Sequence, residues 1–187
     1  MFTLLAIALG AGLLAGLLAR GRVTRLREVR MRAMPVLFAG LVLGIVPLFA
    51  TLSKGPRLAL QIVSMLCVLA YLALNAAANA GGVRAGFCII GLGWALNFVV
   101  IAANGGMPLS RWAYERSGQS GAVTPGKGGF FKIVVAGPHT TLRALGDVIP
   151  VRAVTQVLSA GDIVLIAGIA IVIAAGMRAR APEPVRA

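Results

Sequence analysis

The sequence predicts an all-α membrane protein with five transmembrane helices, the N-terminus outside and the C-terminus cytoplasmic. Three observations predict it. Apolar residues make up 59% of the chain and charged residues only 12%, against about 25% charged in ordinary soluble domains. The apolar residues gather into five runs nearly free of charge, at about 1–18, 34–52, 58–78, 85–104 and 159–177. A hydrocarbon core about 30 Å thick takes roughly 20 helical residues to cross, and these runs reach or approach that length. The arginines, finally, crowd the connections between runs. So much apolar surface leaves no room for a separate soluble domain, and residues 1–187 read as one membrane domain.

Charge sets the expected orientation. Arg20, Arg22, Arg25, Arg27, Arg30 and Arg32 lie in the short connection 19–33, and Arg178, Arg180 and Arg186 lie in the tail 178–187. Short cytoplasmic loops concentrate Lys and Arg, held there by anionic lipid and the membrane potential. With 19–33 inside, alternation puts 53–57 outside, 79–84 inside, the loop 105–158 outside and the basic tail inside. The two basic clusters agree only if the number of crossings is odd. The outer side also carries Lys54, Arg57 and six basic residues scattered through the long loop, where charge steers topology less. The expected location is the bacterial inner membrane, as a multi-pass protein contacting anionic headgroups. A net charge of +13 would suggest nucleic acid in a soluble protein, but these arginines flank membrane runs and no recognition motif accompanies them. No nucleic-acid partner is expected.

Each run has its own features. The first lacks a basic stretch before its apolar residues and carries its positive charge after them, the pattern of an uncleaved anchor with its N-terminus outside. Ala8, Gly12 and Gly16 at four-residue spacing, and Gly40 with Gly44 in the second run, form small-residue stripes that let helices approach closely. The expectation is that these two helices pack on each other, with a homodimer seam as the alternative. Pro47 predicts a kink near the end of the second helix. Gln61 and Asn75 are the polar residues of the third. In the fourth, Asn97 and Asn104 are seven residues apart on one face, and Gly105-Gly106-Met107-Pro108 ends the helix. Cys67 and Cys88 lie in apolar runs at different depths, which argues against a disulfide.

The loop 105–158 has a Gly- and Ser-rich centre, 117–129, followed by 130–151, which mixes apolar residues with Lys132, His139, Arg143 and Asp147. A sixth crossing would bury those charges at several kcal/mol. An interfacial or re-entrant segment broken at Gly137-Pro138 fits better. Arg143 and Asp147, four apart, suggest an ion pair on a short helix.

The candidate site gathers at the outer boundary: Asn97, Asn104, His139, Asp147, Ser159 and Asp162. Two adjacent carboxyls cannot both ionise cheaply, so Asp147 and Asp162 are the candidate catalytic pair of an aspartyl hydrolase. The structural reading is favoured over it. Ser159 and Asp162 have the spacing of a helix capping box. One histidine offers no metal cluster, and neither a phosphate loop nor a nucleophile elbow is present. No metal and no cofactor are expected.

On Asn104-Gly105-Gly106-Met107-Pro108, His139, Leu145-Gly146-Asp147 and Ser159-x-Gly161-Asp162, the chain resembles an uncharacterised family of small polytopic bacterial membrane proteins. That resemblance implies an inner-membrane location and supplies no activity. Asp162-Ile163-Val164-Leu165-Ile166-Ala167-Gly168 also resembles the element that opens the last helix of lipoprotein signal peptidase, which would make Asp147 the second aspartate. The chain departs from that family in having glycine before Asp162, five expected helices instead of four, and no helices between Asn104 and Asp147. Three functions follow, in order. The first is an accessory or scaffolding subunit of a membrane complex, with a membrane-protein partner or a second copy. The second is an intramembrane aspartyl hydrolase acting on a lipid-linked or lipoprotein substrate. The third is a small-solute or lipid transporter. The balance of residues leans away from an enzyme.

Overall fold

The computed structural model describes residues 2–50, 52–121, 123 and 133–179. The Gly- and Ser-rich centre of the long loop and the tail beyond residue 179, including Arg180 and Arg186, lie mostly or wholly outside the described residues. The protein is largely α-helical: α1 (Phe2–Leu18), α2 (Met34–Phe49), α3 (Lys54–Ala78), α4 (Gly81–Asn104), α5 (Arg111–Arg116) and α6 (Ala160–Gly176). Of these, α3 and α4 are long and apolar enough to cross a membrane, while α1, α2 and α6 are shorter apolar helices.

The helix ends follow from local chemistry. Pro35 opens α2, where a missing N–H is no loss. Pro47, by contrast, stands inside α2 two residues before its end at Phe49, where the missing N–H costs the helix one i→i−4 hydrogen bond. Gly105 closes α4 with a left-handed φ of 67°, and the Gly106 N–H donates to Ile101 O at 3.1 Å. Arg84 Nε donates to Ala76 O at 3.1 Å and Asn79 O at 2.9 Å, satisfying carbonyls that the end of α3 leaves unpaired.

The long helices pack in the order α2, α3, α4, α6, α1. The closest approach is between α4 and α6, which run antiparallel on glycines. A Cβ at Gly93 would stand 2.6 Å from Gly161 O and 2.7 Å from Leu165 N, and one at Gly86 would stand 2.8 Å from Val172 N. From the other side, a Cβ at Gly168 would stand 2.7 Å from Ile90 N. Only glycine permits backbones that near. The α3–α4 seam is filled by Val68, Tyr71, Leu72, Val83 and Phe87, all buried.

Here the expected pairing of α1 with α2 is corrected. Gly12 faces Ala170 and Ile173 of α6, and Gly16 faces Met177 at its end, whereas Gly40 faces Ser64 and Cys67 of α3. The small-residue stripes are real packing faces, but each meets a different helix. A stripe specifies closeness and carries no information about the partner. Cys67 and Cys88 are both free thiols.

The all-α expectation is corrected in the long loop. Among the described residues it holds four short strands: β1 (Met107–Leu109), β2 (Ile133–Val135), β3 (Ile149–Val151) and β4 (Gln156–Leu158). β1 pairs in parallel with β2, and β3 pairs antiparallel with β4. The cause is hydrogen-bond demand. Pro108 prevents helix, Met107–Leu109 is buried, and a buried backbone needs partners. The Ala136 N–H donates to Leu109 O at 2.9 Å, the Asp147 N–H to Pro108 O at 2.8 Å, and the Ser110 N–H to Asp147 O at 2.9 Å. The expected helical Arg143–Asp147 pair does not form among the described residues. Arg143–Leu145 is one 3-10 turn, and Asp147 has left the helical path to bridge Leu109.

Candidate functional site

The six candidate residues divide into three groups. Asn97 of α4 and Ser159 with Asp162 at the start of α6 form one network. Asn97 Nδ2 donates to Asp162 Oδ1 at 2.9 Å, and Ser159 Oγ donates to Asn97 Oδ1 at 2.9 Å. Within α6, the Ser159 N–H donates to Asp162 Oδ2 at 2.9 Å and the Asp162 N–H to Ser159 Oγ at 3.0 Å. This is a complete capping box, and it satisfies two of the N–H groups that a helix start leaves open. Gly161 makes room for it, since a Cβ there would collide with Asn97 Oδ1. Ser159 is fully buried and Asn97 nearly so.

Asp147 stands apart in bonding but close in charge. Its backbone is fixed by Pro108 and Ser110. Gly146 permits the approach, because a Cβ there would lie 2.5 Å from Pro108 O. Among the described residues, no donor bonds its carboxyl. Burial, and then the negative charge of Asp162, push the Asp147 carboxyl up from 3.8 to about 7. A carboxyl poised there exchanges its proton near neutral pH, which is the property general acid–base chemistry requires.

Asn104 and His139 belong to neither group. Asn104 Nδ2 donates to Val100 O at 2.8 Å and Thr141 O at 2.9 Å, while its Oδ1 accepts from the Thr141 N–H at 3.0 Å. It therefore clamps the returning loop. His139 is exposed, and no bond joins it to the other five candidates. Among the described residues there is no group of three or more His, Cys, Asp or Glu able to hold a metal ion.

Sequence reasoning missed a recurring device at the opposite end of the bundle. Asn75 clamps the backbone of Arg32, donating to its carbonyl at 3.0 Å and accepting from its N–H at 2.8 Å. Asn79 does the same to Arg30, at 2.8 and 3.0 Å. Four helical residues rise about 6 Å and two extended residues about 6.7 Å, so asparagines four apart match alternate residues of an extended segment. The signal was the pair Asn75 and Asn79 at the end of an apolar helix. All six arginines of 19–33 sit in the connection those clamps hold, and five of them are exposed, with Arg25 half-buried.

The class of protein so defined is a small, largely helical one with two long apolar helices and a tied-down polar boundary. The chain belongs to a family of unknown function (DUF5317), whose pattern matches residues 28–174. The match covers α2 through most of α6 and includes the Asn clamps, the glycine seam and the capping box. No curated protein matches the chain, and no solved structure does. The likeness to lipoprotein signal peptidase gains no support from any of these comparisons.

Proposed function

We propose that the chain is a five-span protein of the bacterial inner membrane serving as an accessory or scaffolding subunit of a membrane complex. Its arginine-rich end faces the cytoplasm, and the strand-bearing loop lies on the outer membrane surface. The observation that carries the functional reading is the use made of the polar side chains. All four asparagines of the chain, with Ser159 and Asp162, tie one segment of the chain to another. They are spent on architecture. The outward faces remain apolar: Phe38, Val42, Ile45 and Phe49 of α2 are all exposed, and α2 packs chiefly on α3 among the long helices.

Three facts support the membrane orientation. α1 and α6 run parallel, as Gly12 beside Ala170 and Gly16 beside Met177 require, which suits two crossings in the same direction. The Arg22 N–H donates to Met177 O at 2.8 Å, so the two basic clusters share one end of the bundle. α1 and α6, at 17 residues each, extend about 25 Å, within reach of a locally thinned bilayer. Tagged purification in mild detergent with identification of co-purifying proteins tests the subunit reading. A stoichiometric second membrane protein is expected, and a chain that elutes alone at every detergent concentration would contradict it.

One observation favours a second reading. An Asp147 carboxyl near neutrality beside Asp162 is the electrostatic pattern of an aspartyl hydrolase. On that reading Asp147→Asn abolishes release of product from a lipid-linked or lipoprotein substrate while leaving the fold intact. Turnover retained by that variant would remove the hydrolase from consideration.

A further inference from the structure

At the arginine-rich end, a cavity of about 770 Å³ opens between the connection 28–30, the turn joining α3 to α4, and the end of α6. Arg30, Arg84 and Arg178 line it, and so does Glu28. Arg84 spends its Nε on the carbonyls of α3, which leaves the terminal nitrogens of its guanidinium for a ligand. The first turn of α4, 81–83, forms another wall, and the N–H groups of a first turn have no partner within the helix. Guanidinium groups and open amides together suit a phosphate.

Glu28 makes the cavity more selective than that. Its Oε2 is buried without a hydrogen-bond partner, and none of the three arginines pairs with it among the described residues. A buried carboxylate oxygen without a donor is unfavourable. As a carboxylate on the cavity wall, Glu28 repels a purely anionic ligand and attracts one that carries an ammonium beside its phosphate.

We propose that this cavity binds a phosphoethanolamine group, the phosphate on Arg30, Arg84 and Arg178 and the ammonium on Glu28. The lipid that carries this group is phosphatidylethanolamine, and a cavity at the edge of the apolar helices receives it from the adjoining leaflet. The inference rests on the membrane reading above for its lipid source. It does not rest on that reading for the headgroup chemistry.

The test uses the full chain, delipidated in detergent and given equal amounts of phosphatidylethanolamine and phosphatidylglycerol, with retained lipid counted by native mass spectrometry. The wild type is expected to keep one phosphatidylethanolamine in preference. Arg178→Gln lowers retention of both lipids by about tenfold, the loss of one charge-assisted hydrogen bond. Glu28→Gln keeps lipid but loses the preference. Equal retention of the two lipids by the wild type, or a preference unchanged in Glu28→Gln, overturns the proposal. An unchanged circular dichroism spectrum for each variant excludes a folding defect as the cause. Competition by free phosphoethanolamine separates the sources: displacement identifies a site for the soluble headgroup, and no displacement identifies the lipid. Flotation of the same protein with liposomes keeps the two readings apart. Protein that floats but shows no preference removes the headgroup site alone.

Discussion

At the residue scale the protein is held by polar side chains that do the work of backbone. Asn75, Asn79 and Asn104 each pair with both the N–H and the carbonyl of one residue on a crossing segment. Ser159 joins the capping box and the Asn97 bond at once. Ser159→Ala should therefore lower stability by about 1–2 kcal/mol, read as a lower thermal midpoint in detergent. Combining it with Asn97→Ala should cost less than the sum of the two, because the pair shares one network. Asp147 gives the pH prediction. Its folded value of about 7 lies above the ordinary 3.8, so the folded protein holds the proton more tightly than the unfolded chain. Stability is then fully favourable below about pH 4, falls as pH rises toward 7 and levels off above it. Thermal midpoints measured from pH 5 to pH 8 should decline in the wild type and stay flatter in Asp147→Asn. A decline of equal size in both would assign the effect elsewhere.

At the element scale, the glycine seam between α4 and α6 decides how the bundle closes. Gly93→Ala brings a methyl group against the backbone of Gly161 and Leu165 and should destabilise by about 1–3 kcal/mol. Gly91→Ala is its control. A Cβ there meets nothing within 4 Å, and alanine favours the helix, so its midpoint should match or slightly exceed the wild type. The seam was only partly legible in the sequence. Gly86 and Gly93, like Gly161 and Gly168, recur at seven residues, but spacing alone does not say which helices meet. For the same reason the stripe of α1 suggested α2 and met α6. The strands were illegible. β1 to β4 are three residues each, too short for a period of two to emerge, and they form because Pro108 leaves a buried segment in need of partners. The capping box was legible because it is local: Ser159 and Asp162 are three residues apart, and nothing distant is needed to bring them together.

At the scale of the whole molecule, long-range charge pattern and short-range packing point the same way. Most of each apolar run lies in a helix, the basic clusters of 19–33 and 178–179 meet at one end through Arg22 and Met177, and the strands gather with Asp147 at the other. Composition reveals that much because it reports the solvent each residue tolerates. It reveals nothing of a partner or substrate, which depend on how separate segments converge.

The measurement that tests this account most directly is the sidedness of single cysteines. With Cys67 and Cys88 replaced by alanine, Arg27→Cys probes the basic connection and Ser120→Cys the long loop, both at exposed positions. A membrane-impermeant maleimide applied to intact cells should label Ser120→Cys, and label Arg27→Cys only after the membrane is opened. Labelling of Arg27→Cys in intact cells, or of neither position until lysis, would contradict the five-span arrangement proposed here.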